Sequence, residues 1–193
     1  MQPNRRAAVP RLENLKVKKM KRTVNELILI LPCVGNFEAW ADSLPYPETV
    51  AGHAVTQPDA LTLGQYLDLS HVNPDALIFE TARILMPYKL PDEVIGCFDS
   101  AEIIGLVWGI KKAVEQLNAA FESLSPDLSN EEKAAGVPEF GAMGLVDFAS
   151  KRFGKTYGEA MQLNAWEVYQ AFQIEQETAE YKKRLQTIYQ NKR

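Results

Sequence analysis

Cysteine and histidine are scarce in this chain: two of each in 193 residues, Cys33 and Cys97, His53 and His71. Two cysteines cannot staple a disulfide scaffold, and no structural zinc site is expected from these four side chains. No apolar run approaches the roughly 20 residues that a membrane-spanning helix needs. Neither a Walker sequence nor G-x-G-x-x-G occurs, so the known phosphate-cradling loops are absent, and the short GAMG at residues 141–144 is no substitute. No nucleophile motif accompanies either histidine. The carboxylates Glu131–Glu132 and Glu175, Glu177 and Glu180 read as solvated faces, with no sugar-binding aromatic pattern beside them. The expectation is a protein without catalytic residues, metal or cofactor.

What is present suits a folded protein. Hydrophobic residues are 46% and charged residues 24%, enough apolar material for a core, which rules out wholesale disorder. The net charge of −4 is unevenly spread: residues 1–22 carry eight basic residues against Glu13, a net +7, which leaves −11 for the rest. Such a basic arm binds nucleic acid, contacts an acidic surface, or is a leader with no role. No aromatic residue interleaves its charges, so base stacking has no platform, which counts against nucleic acid. Met20, before Lys21 and Arg22, also reads as a start. A secretory signal is not expected, because the apolar run Leu27–Leu31 is too short, and Pro32 precedes Cys33 where a lipidated cysteine has a small residue. A reducing cytoplasm is the expected location.

Along the chain, Val24–Leu31 is a short strand or a short buried segment that Pro32 ends; periodicity does not choose. Residues 32–60 hold four prolines and two glycines and read as loops with turns. Leu61–Leu69 is one helical turn or a short strand. Asn73–Pro74–Asp75 opens a helix that runs to about Met86. A short helix follows Pro91. Asp99, with Glu102 three residues on, predicts a capping box and the longest clear helix. Its stripe is Ile103, Val107, Ile110, Val114, Leu117, Phe121 and Leu124, spaced alternately by four and three. That stripe is core or a partner-facing seam. Residues 125–139 read as a linker. Ala142–Phe153 is helical, with Gly154 as its left-handed cap. Thr156 with Glu159 and Asn164 with Glu167 open two more helices. The last carries the stripe Ala171, Ile174, Thr178, Tyr181, Leu185 and Ile188.

The fold expected is mainly α: a basic leader at 1–22, a mostly helical domain at 23–124 with its proline-rich region, the linker, and a helical unit at 140–193. Self-association is expected through residues 101–124 or 165–190. Six aromatics, Phe148, Phe153, Tyr157, Trp166, Tyr169 and Phe172, crowd the last unit. They form a small aromatic core or an anchor patch for a partner, since aromatics dominate binding hot spots.

Residues 144–172 carry Lys151–Arg152–Phe153–Gly154, then Thr156–Tyr157–Gly158–Glu159–Ala160, then Trp166–Glu167–Val168. This run resembles a segment of the tail assembly chaperones of long-tailed bacteriophages. The stretch LTLGQYLDL at 61–69, followed by helices at 74–86 and 101–124, is similar to the openings of phage proteins encoded near tail genes. The resemblance covers roughly half the chain; residues 32–60 and the basic arm have no counterpart. It implies a non-enzymatic protein of the host cytoplasm that binds the tape-measure protein while tail-tube subunits polymerise around it. The two parts without counterpart leave open a structural tail or baseplate subunit of the virion, and the arm leaves open a nucleic-acid-binding accessory role.

Overall fold

A computed structural model describes residues 22–30, 36–86, 88–124 and 141–190. Its α-helices are α1 (Val24–Ile30), α2 (Phe37–Asp42), α3 (Leu63–Ser70), α4 (Leu77–Leu85), α5 (Asp92–Ile95), α6 (Ser100–Ser123), α7 (Gly141–Phe153), α8 (Tyr157–Ala160) and α9 (Ala165–Gln190). One-turn 3-10 helices at Pro58–Ala60 and Pro74–Ala76 lead towards α3 and α4. A single hairpin, β1 (Thr49–Val50) with β2 (His53–Ala54), is the one sheet among the described residues. The fold is therefore mainly α. The basic arm up to Lys21, Cys33 and the stretch read as a linker lie outside the described residues, apart from Arg22. No helix among the described residues is long and apolar enough to cross a membrane.

The short strand envisaged near residues 24–31 is not formed: Val24–Ile30 is helix. Thr23 and Glu26 explain this, because each side chain accepts from the other's backbone N–H, at 3.0 and 3.3 Å, which closes a capping box. Val24 and Leu27, three apart, are buried on one side. The backbone before the helix still pairs like a strand, with Val24 N–H donating to Phe98 O and Ser100 N–H to Arg22 O. The proline-rich region holds a helix that its prolines and glycines concealed, α2. Its hairpin turns through Ala51 and Gly52, both with positive φ, as a two-residue turn of this twist requires.

Helix α6 is the centre of the molecule. Its predicted stripe is buried from Ile103 to Leu117, and Ile104, Leu106 and Ala113 are buried as well. The helix is thus covered on more sides than one stripe implies. Two glycines permit the closest approaches. A Cβ at Gly105 would lie 2.6 Å from the Pro45 carbonyl oxygen, and one at Gly109 would run into the Tyr46 ring. Asp99 caps the helix as expected, accepting from Ala101 N–H at 2.9 Å, but the reciprocal half of the box is missing. Glu102 instead accepts from Ala51 N–H at 3.1 Å and so holds the hairpin turn.

The segments before and after residues 125–140 meet through backbone bonds. Thr62 pairs with Asn164 in an antiparallel bridge. Leu63 N–H donates to Leu163 O at 2.7 Å, Gly64 N–H to Met161 O at 2.9 Å, and Ala165 N–H to Leu61 O at 2.8 Å. Helices α3 and α9 therefore start side by side. Thr62 with Gln65 caps α3 in a full box, and Thr156 with Glu159 does the same for α8. Gly154, at φ +63°, ends α7 as expected. One contiguous apolar core runs from Val24 to Val168.

Candidate partner-binding surface

The six aromatics of the C-terminal segment divide into two sets. Phe148, Trp166, Tyr169 and Phe172 turn inward and are half-buried. Phe148 meets Phe172 edge-on at 5.0 Å between ring centroids, and Trp166 meets Tyr169 at 5.9 Å. Phe121 of α6 joins both, 5.4 Å from Tyr169 and 6.3 Å from Phe172. Tyr66 of α3 completes the chain of rings, 5.8 Å from Phe121, and its hydroxyl donates to Asn118 Oδ1 at 2.7 Å. Burial pushes the Tyr66 hydroxyl above its ordinary pKa. These rings fasten α9 and α7 to α6 and α3.

Phe153 and Tyr157 stand outside this set, both exposed. The Tyr157 hydroxyl donates to Asp147 Oδ1 at 2.9 Å, and Lys151 Nζ lies 2.6 Å from Asp147 Oδ2. The lysine's hydrogen bond, then the tyrosine's, holds the Asp147 carboxyl below its ordinary pKa. The same contacts raise Tyr157 and Lys151.

Tyr157 also borders an open groove of about 720 Å³. Leu67, Asp68, His71 and Val72 form its α3 wall, and Glu80, Arg83 and Ile84 its α4 wall. Met143 and Val146 of α7 close the far side, with Tyr157, Gly158 and Met161 at α8. The lining is mostly apolar. Its two methionines can reshape themselves around differing apolar ligands. Asp68 and Glu80 leave the wall acidic, because Arg83 is paired with Asp92 outside the lining. His71 Nδ1 lies 2.8 Å from the Leu67 carbonyl oxygen, so that nitrogen is the donor in this contact. His53 is elsewhere, its ring 5.5 Å from Tyr88. The two histidines therefore do not share the groove. Among the described residues, no three His, Cys, Asp or Glu side chains gather as metal ligands.

Sequence reasoning identified Tyr157 here and missed the other groove residues. Four separate helices and their flanking turns supply them, so no local spacing marks the set; the methionines were the nearest thing to a signal. No protein-family model matches the chain, and no curated protein or solved structure is significantly similar to it.

Proposed function

We propose that this protein is a non-enzymatic holder of another protein's apolar helix. Specifically, we propose that it is a tail assembly chaperone for the tape-measure protein of a long-tailed phage. The observation that carries the reading is the open groove of about 720 Å³, mostly apolar in its lining, with Asp68 and Glu80 among its lining residues. An amphipathic helix lays its apolar face into such a groove, and basic residues flanking that face would meet Asp68 and Glu80. The phage-like stretches support the choice of client. Leu67 and Asp68 belong to the first, and Val146, Tyr157, Gly158 and Met161 to the second. The net charge of −11 beyond residue 22 would keep a complex with an aggregation-prone client in solution.

The test is co-expression with the tape-measure protein of the same phage, reading the soluble fraction of the client. Wild-type protein should keep the client soluble and co-purify with it. Met143→Glu, at an exposed position on the groove, should weaken capture at least about tenfold with the fold intact. Unchanged capture by this variant, or stoichiometric protein in mature virions, would overturn the reading. The latter result would favour a structural tail subunit.

A further inference from the structure

Helix α9 changes its apolar face part-way along. Its first turns bury Ala165 and Val168 and half-bury Tyr169 and Phe172 against the body. At about 100° per residue these four share one side of the helix. That side then turns polar, with Gln176, Ala179, Glu180 and Lys183. The second stripe, Ala171, Ile174, Thr178, Tyr181, Leu185 and Ile188, lies on nearly the opposite side. Ile174, Tyr181 and Ile188 are 56%, 57% and 50% exposed, so no described part of the chain covers it. Apolar residues at alternating steps of three and four are what a two-stranded coiled coil uses as its seam.

The residues beside the stripe indicate what covers it. Glu175 and Lys182 flank it on one edge, Glu177 and Arg184 on the other, so each edge carries an acid followed by a base. Two such helices laid antiparallel bring like edges together. With Ile174 opposite Leu185, Ala171 meets Ile188 and Thr178 meets Tyr181, a small residue facing a large one in the outer and inner layers. The same register sets Glu175 against Lys182 and Glu177 against Arg184, each twice by symmetry, with no like charges opposed. A parallel pair would offer only Glu177 to Lys182 and would stack Tyr181 on Tyr181. Antiparallel packing also places the two helix dipoles favourably and the two bodies at opposite ends.

We propose that the stripe of α9 is a homodimerisation element, an antiparallel two-stranded coiled coil over residues 171–188 of two copies of this chain. It spans about 27 Å at 1.5 Å per residue. It is independent of the groove and stands whether or not a client binds there.

The test is sedimentation equilibrium of the full chain from micromolar to hundreds of micromolar. The wild type should follow a monomer–dimer equilibrium. Glu175→Lys with Glu177→Lys makes both edges basic, and Lys182→Glu with Arg184→Glu makes them acidic. Each variant alone should dimerise at least about tenfold more weakly, and an equimolar mixture should recover the wild-type affinity. All four positions are exposed, so helicity by circular dichroism should not change. Orientation is read by oxidation in a Cys33→Ser, Cys97→Ser background. Ala171→Cys and Ile188→Cys chains should cross-link on mixing and not alone. A monomer at the highest concentration, undiminished dimer in both charge variants alone, or cross-linking of Ala171→Cys with itself would overturn the proposal.

Discussion

Helices α6 and α9 are nearly equal in length, 24 and 26 residues, and each carries an apolar stripe with the same alternating step. In α6 the stripe is buried from Ile103 to Leu117, and α1, α2, α3, α4 and α9 all pack on that helix. In α9 the stripe faces away from the body. The helix is held by other residues at its start: two buried side chains, a half-buried ring cluster and a backbone bridge. A stripe states which face of a helix avoids water. It does not state which neighbour removes the water, and that neighbour is internal for α6 and is not found among the described residues for α9.

The contrast can be broken most directly by one substitution made twice. Ile110→Ala empties a site 2% exposed in α6 and should cost about 2–5 kcal/mol in urea unfolding. Ile174→Ala, on the open stripe, should stay within about 0.5 kcal/mol at concentrations where the chain is monomeric. Equal losses would mean that α9's stripe is covered within one chain.

Glycine substitutions sharpen the same point at smaller amplitude. Gly105→Ala gains about 0.5–1 kcal/mol of helix preference but sets its methyl 2.6 Å from a carbonyl oxygen. The overlap should win, with a net loss of about 1–3 kcal/mol. Gly158→Ala in α8 meets nothing within 4 Å and should show the gain alone.

The helix starts come next. Asp99 accepts one backbone N–H of α6. Asn164 accepts those of Trp166 and Glu167 at 2.9 and 3.3 Å and donates to Asp59 O at 2.7 Å. Either residue changed to Ala should cost about 0.5–2 kcal/mol, with Asn164→Ala the larger, because it removes the bond to the Asp59 carbonyl as well as two backbone bonds. Thermal unfolding of both variants checks the order.

The smallest effect concerns pH. Asp42 of α2 receives Lys112 Nζ and Trp108 Nε1 of α6, each at 2.6 Å, and the lysine first, then the indole, lower its carboxyl pKa. In the unfolded chain that carboxyl has its ordinary, higher pKa. As pH falls, the unfolded state takes up the proton first, so this stabilisation is complete above the ordinary value and is lost on descending through the folded one. Asp42→Asn should therefore unfold with a shallower loss than the wild type as pH falls below about 5. The exposure of the site keeps the difference small.

The helical class, the α6 stripe, the Thr156–Glu159 box and the Gly154 cap were all legible, because each is written in residues no more than a few turns apart. The segment at 24–31 was ambiguous for a physical reason. Its backbone pairs with Phe98 and Arg22 carries a matching bond to Ser100, while its side chains at 23 and 26 cap a helix. Helix α2 was hidden by prolines and glycines on both sides of it. Glu102 was assigned to its own helix end, but the nearby hairpin offered its carboxylate a free N–H. The six aromatics gave no sign of their division, since which rings turn inward depends on Phe121 and Tyr66 arriving from other helices. The groove was illegible for the same reason.

The bridge between the starts of α3 and α9 also bears on the order in which the chain folds on the ribosome. The Asn164 side chain bonds to the backbone 105 residues earlier. The carbonyl of Leu61 and the first N–H groups of α3 find their partners at residues 161–165. A nascent chain that has released only its first 160 residues can pack α6 against α1, α2, α3 and α4, but the start of α3 still lacks its partners at residues 161–165. Such long-range closure is slow relative to local helix formation. The last helix therefore closes the fold at the start of α3, and synthesis halted before it leaves Phe121 of α6 without Tyr169 and Phe172.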